Sequence, residues 1–401
     1  MKSVQPIPAG DSSTHRPCEF EPLQASQVSA ASQSALQRLL SAERASSEWF
    51  SHSFLKQVQL KQLEASLAQV RTSYGAFLRV EVTKNACYAV FERGQTETDV
   101  ITDQSGQITF LRLAPFIGLA VNLEEALSNL IPDTDDVAYL VLEGSTPIAE
   151  YQADRPMAVG SSFKLAVLAA LMDRIEQDCL AWADVLMLNR SSKSLPSGIL
   201  HEWPDRFPLT IGTYAALMIS ASDNTATDML LRLLGRSEVE VYAENSRPIL
   251  TTREVFALRS KGASILRETY RRADEGRRRS LLSEIAKLPE PKAEDLDVSD
   301  ASVPVGYEFS VRELCGLIAR VQELEIMSIN PGFSTSRWER VAYKGGSDIG
   351  ALNFTSYLQA RTGQIYAVSV TWNSSAGAID EIRTQAAYGA LLAQLALRAG
   401  V

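Results

Sequence analysis

The sequence predicts two units: a small α+β domain, then a larger α/β domain in which helices flank an antiparallel sheet. Three observations carry this. The chain has 401 residues, enough for two domains. Between positions 34 and 113, two stretches with apolar residues at helical spacing precede four short alternating runs, the order of an α+β unit. Beyond position 119, strand-like runs lie at both ends of the remaining chain with helical patterns between, the order of an α/β unit whose sheet draws its first and last strands from opposite ends.

Residues 1–33 are rich in Pro, Ser and Gln without periodicity and read as a disordered leader. Leu36, Leu39 and Leu40 suggest a helix over 34–45; Leu60, Leu63, Leu67 and Val70 give a second, ended by Gly75. Strands follow over 77–82, 87–93, 98–102 and 107–113, with turns at Gly94 and at Ser105-Gly106. These make a domain over 34–118. A linking helix over 119–130, closed by Pro132 and Asp133, opens the second domain, 119–401. Strands over 137–142 and 147–152 turn at Gly144-Ser145. Leu165, Leu168, Ala169, Met172 and Ile175 mark a helix, and helices over 211–219 and 225–234 follow. Thr251-Thr252-Arg253-Glu254 and Ser310-Val311-Arg312-Glu313 are capping boxes. Between them a charged helical stretch, 264–288, carries Arg271, Arg272, Arg277, Arg278 and Arg279. An acidic run, Glu294 to Asp300, follows it, so the stretch reads as a solvated helix face. Strands over 342–346, 352–359 and 365–372 and a helix over 379–397 close the chain.

Composition narrows the function. A net charge of −9 argues against a nucleic-acid partner. The three His have unrelated spacings and the four Cys show no C-x-x-C pair, so neither a metal site, another cofactor nor a disulfide framework is expected. Cys179 and Cys315 sit in apolar helical patterns and read as buried thiols. No apolar run is long enough to cross a membrane, and the N-terminus lacks the apolar core of a signal peptide. As written, the chain is expected in the cytoplasm, or in the periplasm or medium if the true start lies upstream. The partner expected is a small-molecule substrate; oligomeric state is open.

The chemistry gathers in three short motifs. Ser161-Ser162-Phe163-Lys164 reads Ser-x-x-Lys at a helix start. Positions three apart share a helix face, so Lys164 stands beside Ser161. A neutral amine there takes the hydroxyl proton and makes Ser161 a nucleophile. Ser222-Asp223-Asn224 comes next, and Lys344-Gly345-Gly346-Ser347 follows near the C-terminus.

In this order the motifs resemble those of the penicillin-recognising serine enzymes, class A β-lactamases most closely: Ser-x-x-Lys, Ser-Asp-Asn and Lys-Thr-Gly. The flanks agree: Val159-Gly160 before the Ser, Thr225-Ala226 after the Asn, and a strand with Trp372 before a C-terminal helix. The resemblance covers about residues 120–401 and implies a β-lactamase/transpeptidase-like layout. The small unit before it is similar in pattern to the cystatin-like or steroid-isomerase-like domains of some such hydrolases. The family pattern implies Ser161 as nucleophile, Lys164 as its base, and Ser222 as proton relay to the leaving group. It implies Lys344 as anchor for an anionic substrate group, Asn224 as a partner of substrate and Lys164, and Asp223 as a loop-holding acceptor. With Gly346, the backbone N–H groups of Ser161 and Ser347 would form the oxyanion hole, and the Ser347 hydroxyl would meet a substrate carboxylate.

Two departures stand out. Gly345 replaces the Thr of Lys-Thr-Gly, and the Glu-x-x-Leu-Asn that holds the deacylating base in class A enzymes is missing from 235–252, where Glu244 is the nearest candidate. The expectation is a serine hydrolase working through an acyl-serine on an ester, amide or β-lactam, with esterase-like turnover and weak β-lactamase activity. The alternatives are a true β-lactamase with an unusual base, or a penicillin-binding sensor that is acylated once.

Overall fold

A computed structural model describes residues 29–82, 86–114, 116–131, 136–297, 305–375 and 379–401. It is a mixed α/β fold of antiparallel sheets and helices. The N-terminal part starts with a helix, Ala30–Ser41, capped by the Ser29 hydroxyl. Positions 29–33, expected to end a leader, therefore form the first turn of this helix. It also ends before 45, because Ala42 is already extended; the expected leader's residues 1–28 lie outside the described residues. The helix Leu60–Tyr74 stops at Gly75, whose φ of +83° suits glycine.

The four strands order Phe77–Val82, Cys87–Phe91, Gly94–Thr102, Ile108–Leu113, all antiparallel. Gly94, expected as a turn, begins a strand instead. It pairs with Gly118, and a Cβ there would meet the Tyr74 ring at 2.9 Å. Leu36, Leu39, Phe50, Phe91, Ile108 and Phe116 form the core beneath this sheet.

The linking helix is shorter than expected, Leu123–Ser128, because Asn122 caps it and the preceding Ile117–Gly118 forms a strand. The residues expected to close it, Pro132 and Asp133, lie outside the described residues. The large sheet runs Arg340–Asp348, Ala351–Gln359, Ile365–Asn373, Asp136–Glu143, Thr146–Tyr151, antiparallel throughout. Strands from both ends of the chain thus lie side by side, as expected. One face carries the C-terminal helix, Glu381–Arg398, through Tyr388, Leu391 and Leu395 packed on Trp372, Val368 and Leu358. The other face carries Lys164–Glu176 and Val311–Val321, with the remaining helices beyond them.

Both capping boxes form as read: Thr251 caps Thr252–Arg259 and Ser310 caps Val311–Val321, each with its Glu returning the bond. The charged stretch is two helices, Ser264–Arg272 and Glu275–Ile285, because Asp274 caps the second. Its arginines mostly pair locally, Arg271 and Arg272 with Glu268, and Arg279 with Glu275 and Glu240. Cys315 is buried, but Cys179 is exposed, since its helix ends at Glu176 and leaves it in the following turn. Among the described residues no helix is long and apolar enough to cross a membrane.

Candidate active site

Ser161 does not lie in the α-helix proper. It sits in a 3-10 turn, Gly160–Phe163, directly before Lys164–Glu176. Two glycines let this turn press against the strand Arg340–Asp348. A Cβ on Gly160 (φ +50°) would come within 2.8–2.9 Å of the Ser347 backbone. A Cβ on Gly346 would collide with Val159 O and stand 2.6 and 2.7 Å from the backbone nitrogens of Ser162 and Ser161. Ser162 pins the turn to the sheet by donating to Asn353 Oδ1 at 2.6 Å, within a buried polar layer of Asn353, Thr355, Ser369 and Thr371.

Lys164 is fully buried. Its Nζ lies 3.0 Å from Ser161 Oγ, 2.6 Å from Ser222 O, 3.1 Å from Ser222 Oγ and 2.8 Å from Asn224 Oδ1. Burial above all, then the neighbouring Lys344 cation, holds its pKa well below the ordinary lysine value. A neutral amine has two N–H donors and one lone pair. The two carbonyl-type oxygens, Ser222 O and Asn224 Oδ1, can only accept, so they take the donors. The lone pair is left for a hydroxyl, and Ser161 Oγ is in reach.

Lys344 is also buried, and desolvation pushes its pKa down to about 7. Its Nζ reaches Ser222 Oγ at 3.1 Å and Gly345 O at 2.5 Å. Ser222 Oγ therefore bridges the two amines. Its backbone has φ +53°, a conformation that costs a non-glycine residue about 1–3 kcal/mol. Lys164 Nζ and Ser197 Oγ (2.7 Å) hold the Ser222 carbonyl in place. Asp223 points away from the cleft: Oδ1 accepts from Ala226 N and Oδ2 from Ile199 N and Leu200 N. Asn224 Nδ2 donates to Leu195 O, which fixes its oxygen toward Lys164.

Two cavities flank Ser161. One, about 450 Å³, is lined by Ser222, Tyr343, Lys344, Gly345, Glu381 and Gln385 among others. The other, about 370 Å³, is lined by Asn224, Thr252, Arg259, Tyr307, Ser347 and Asp348 among others. Ser161, Lys164, Ser222, Asn224, Lys344, Gly346 and Ser347 are thus brought together. Glu244 is not: it is exposed in a separate turn, Glu244–Ser246, and lines neither cavity. Of the other Glu in that stretch, Glu240 is buried in a pair with Arg279.

Sequence reasoning missed several wall residues. Arg259 holds Asp348 with two bonds of 2.7 and 2.6 Å. Thr252 lines the smaller cavity and leans on the buried Asp228, whose pKa desolvation raises to about 7. Tyr343 lines the larger one. No catalytic motif marks these residues; Thr252 lies in a capping box, which announces a helix start and not a cleft wall. The one local signal was Gly345, a departure that calls for something to fill its place.

Over residues 120–287 the chain matches the "Beta-lactamase enzyme family". The match spans Ser161–Lys164 and Ser222–Asn224 and agrees with the resemblance to the penicillin-recognising serine hydrolases read from those motifs. No curated protein matches the chain. Among solved structures it is similar to a β-lactamase from Sphaerobacter thermophilus DSM 20745, with 18% identity over 70% of this chain and 96% of that one and a TM-score of 0.45. It is also similar to one from Francisella tularensis, with 14% identity, 70% and 100% coverage and a TM-score of 0.48. A third is PBP-A, with 13% identity, 69% and 95% coverage and a TM-score of 0.46.

Proposed function

We propose that the chain is a serine hydrolase that forms an acyl-Ser161 ester from an ester, amide or β-lactam, turning over small esters readily and β-lactams slowly. The observation that carries this is the buried Lys164 amine, 3.0 Å from Ser161 Oγ with its two N–H donors already taken. In this reading the Ser161 proton passes to Lys164 Nζ as Oγ bonds to the acyl carbon. The oxyanion is held by the N–H groups of Ser161 and Ser347, donors that count for about 2.7–4 kcal/mol each in such sites. Ser222 hands a proton to the leaving group, and Lys344 and Asn224 hold the substrate. The reading takes residues 34–118 as a supporting domain and 119–401 as the hydrolase domain.

Slow release from β-lactams is supported by the cavity walls. Their carboxylates, among the described residues, are Asp348, held by Arg259, and Glu381 on the side of the C-terminal helix. An ester's alcohol departs and leaves room for water, whereas an opened β-lactam stays attached. Incubation with benzylpenicillin, followed by intact mass over time, tests the reading. Ser161 should gain one adduct that persists for many minutes, Ser161→Ala should gain none, and a nitrophenyl ester should be hydrolysed catalytically. An adduct on Ser161→Ala would put the nucleophile elsewhere. Penicillin turnover at about 1–10³ per second would establish the alternative, a true β-lactamase with another base.

A further inference from the structure

The strand Arg340–Asp348 places Tyr343, Gly345 and Ser347 on one face and Lys344 and Gly346 on the other. Where a Thr at 345 would put its side chain, the Tyr343 ring already lies: a Cβ built on Gly345 collides with Tyr343 Oη and stands 3.0 Å from its Cζ. A second glycine abuts the ring as well. Gly332, in a left-handed turn (φ +71°), has no Cβ where the ring carbons Cζ and Cδ1 would stand 2.7 and 2.9 Å away. Phe333 meets the ring edge-on at a centroid distance of 5.5 Å. Two glycines and one aromatic thus fix a phenol whose hydroxyl finds no hydrogen-bond partner among the described residues. Tyr343 lines the cavity shared by Ser161, Ser222 and Lys344.

We infer that Tyr343 is a substrate-binding residue. Its hydroxyl reaches over Gly345 and donates to an anionic oxygen, a carboxylate, of the acyl compound held by Lys344. The Gly at 345 and the Tyr at 343 then form one device: the strand supplies a hydroxyl at the same place from two residues earlier. Burial raises the phenol's pKa and keeps it protonated, which suits a donor facing an anion. The inference rests on the hydrolase reading for the location of the cleft. It adds a residue of this chain to the carboxylate contact that the family pattern implies.

Equilibrium binding to Ser161→Ala, by calorimetry, tests this apart from any turnover. The probes are benzylpenicillin and its methyl ester, which lacks the charge. Adding Tyr343→Phe should weaken benzylpenicillin binding about tenfold, the worth of one donor to a charged oxygen, and change the methyl ester less than twofold. Adding Gly345→Thr to Tyr343→Phe should restore part of the loss by returning a hydroxyl to the same place, whereas Gly345→Thr alone should lower folding stability. Equal affinities with and without the phenol oxygen, equal losses for both probes, or no binding of either probe to Ser161→Ala would each overturn the inference. Mass analysis of the unaltered chain reports acylation separately, so binding without an adduct counts against the hydrolase reading and not against this one.

Discussion

Two buried lysines share Ser222 Oγ, and their protons decide what the site does at a given pH. Lys344, pushed down to about 7 by burial, is a cation below that value and loses its charge as pH rises through it. In the proposed reading, its hold on a substrate carboxylate goes with the charge. KM for a carboxylate-bearing substrate should therefore climb as pH passes about 7, while KM for a neutral ester stays flat; parallel pH profiles on the two substrates measure this. Stability moves the other way. In the unfolded chain the same lysine titrates near 10.5. Between about 7 and 10.5 the unfolded chain thus holds the extra proton, and stability rises with pH across that window. Denaturant midpoints taken through it should show a positive slope that shrinks in Lys344→Met. The slope should not vanish, because Lys164 is displaced in the same direction. Ser161, Lys164, Ser222 and Asn224 were legible in the sequence because each motif is local and its spacing fixes its geometry. Thr252 and the Arg259–Asp348 pair were not, since they come together only through packing between distant segments, and Tyr343 was not, because Gly332 and Phe333, outside the motif, place its ring.

At the level of elements, the loop that presents Ser222 and Asn224 depends on one side chain behind it. Asp223 caps the helix Asn224–Leu234 and also satisfies the backbone N–H groups of Ile199 and Leu200. Gly198 makes room, since a Cβ there would collide with the Asp223 carboxylate. Asp223→Ala removes a cap that counts for about 1 kcal/mol and leaves two N–H groups unpaired at about 1–3 kcal/mol each. The expected loss, read from urea unfolding, is about 3–7 kcal/mol. Asp223→Asn, which keeps an acceptor for the cap, should lose less than half of that; equal losses for the two variants would show that the carboxylate does not organise the loop. The main helices and strands followed from periodicity, and the two capping boxes formed where the sequence placed them. What periodicity did not give were the break at Asp274 and the start of a strand at Gly94. Each is settled by a side chain contact, a cap in one case and the Tyr74 ring in the other.

Over the whole molecule, the C-terminal helix belongs to two cores at once. Ala386 packs with Phe91 and Phe116 beneath the N-terminal sheet, while Ala387, Tyr388 and Leu391 pack on the large sheet. The Gly118 and Gly389 contacts bring helix and N-terminal strand within 3.0–3.3 Å of an added Cβ, and Tyr74 Oη donates to Ile382 O. The same helix starts with Glu381, and Gln385 follows one turn on, both lining the cleft beside Lys344. On the other side, Glu97 accepts from the hydroxyls of Ser334 and Ser336, just beyond the Gly332-Phe333 clamp on Tyr343. A chain wired in this way melts as one body: a scanning calorimeter should record a single transition, and two separated ones would refute the shared helix as a link. It also means that whatever fills the cleft is felt in the N-terminal sheet, because a ligand that favours the folded state stabilises every part that unfolds with it. An adduct on Ser161 should accordingly slow amide exchange in the strand Gly94–Thr102, so the small sheet acts as a remote gauge of whether the cleft is occupied.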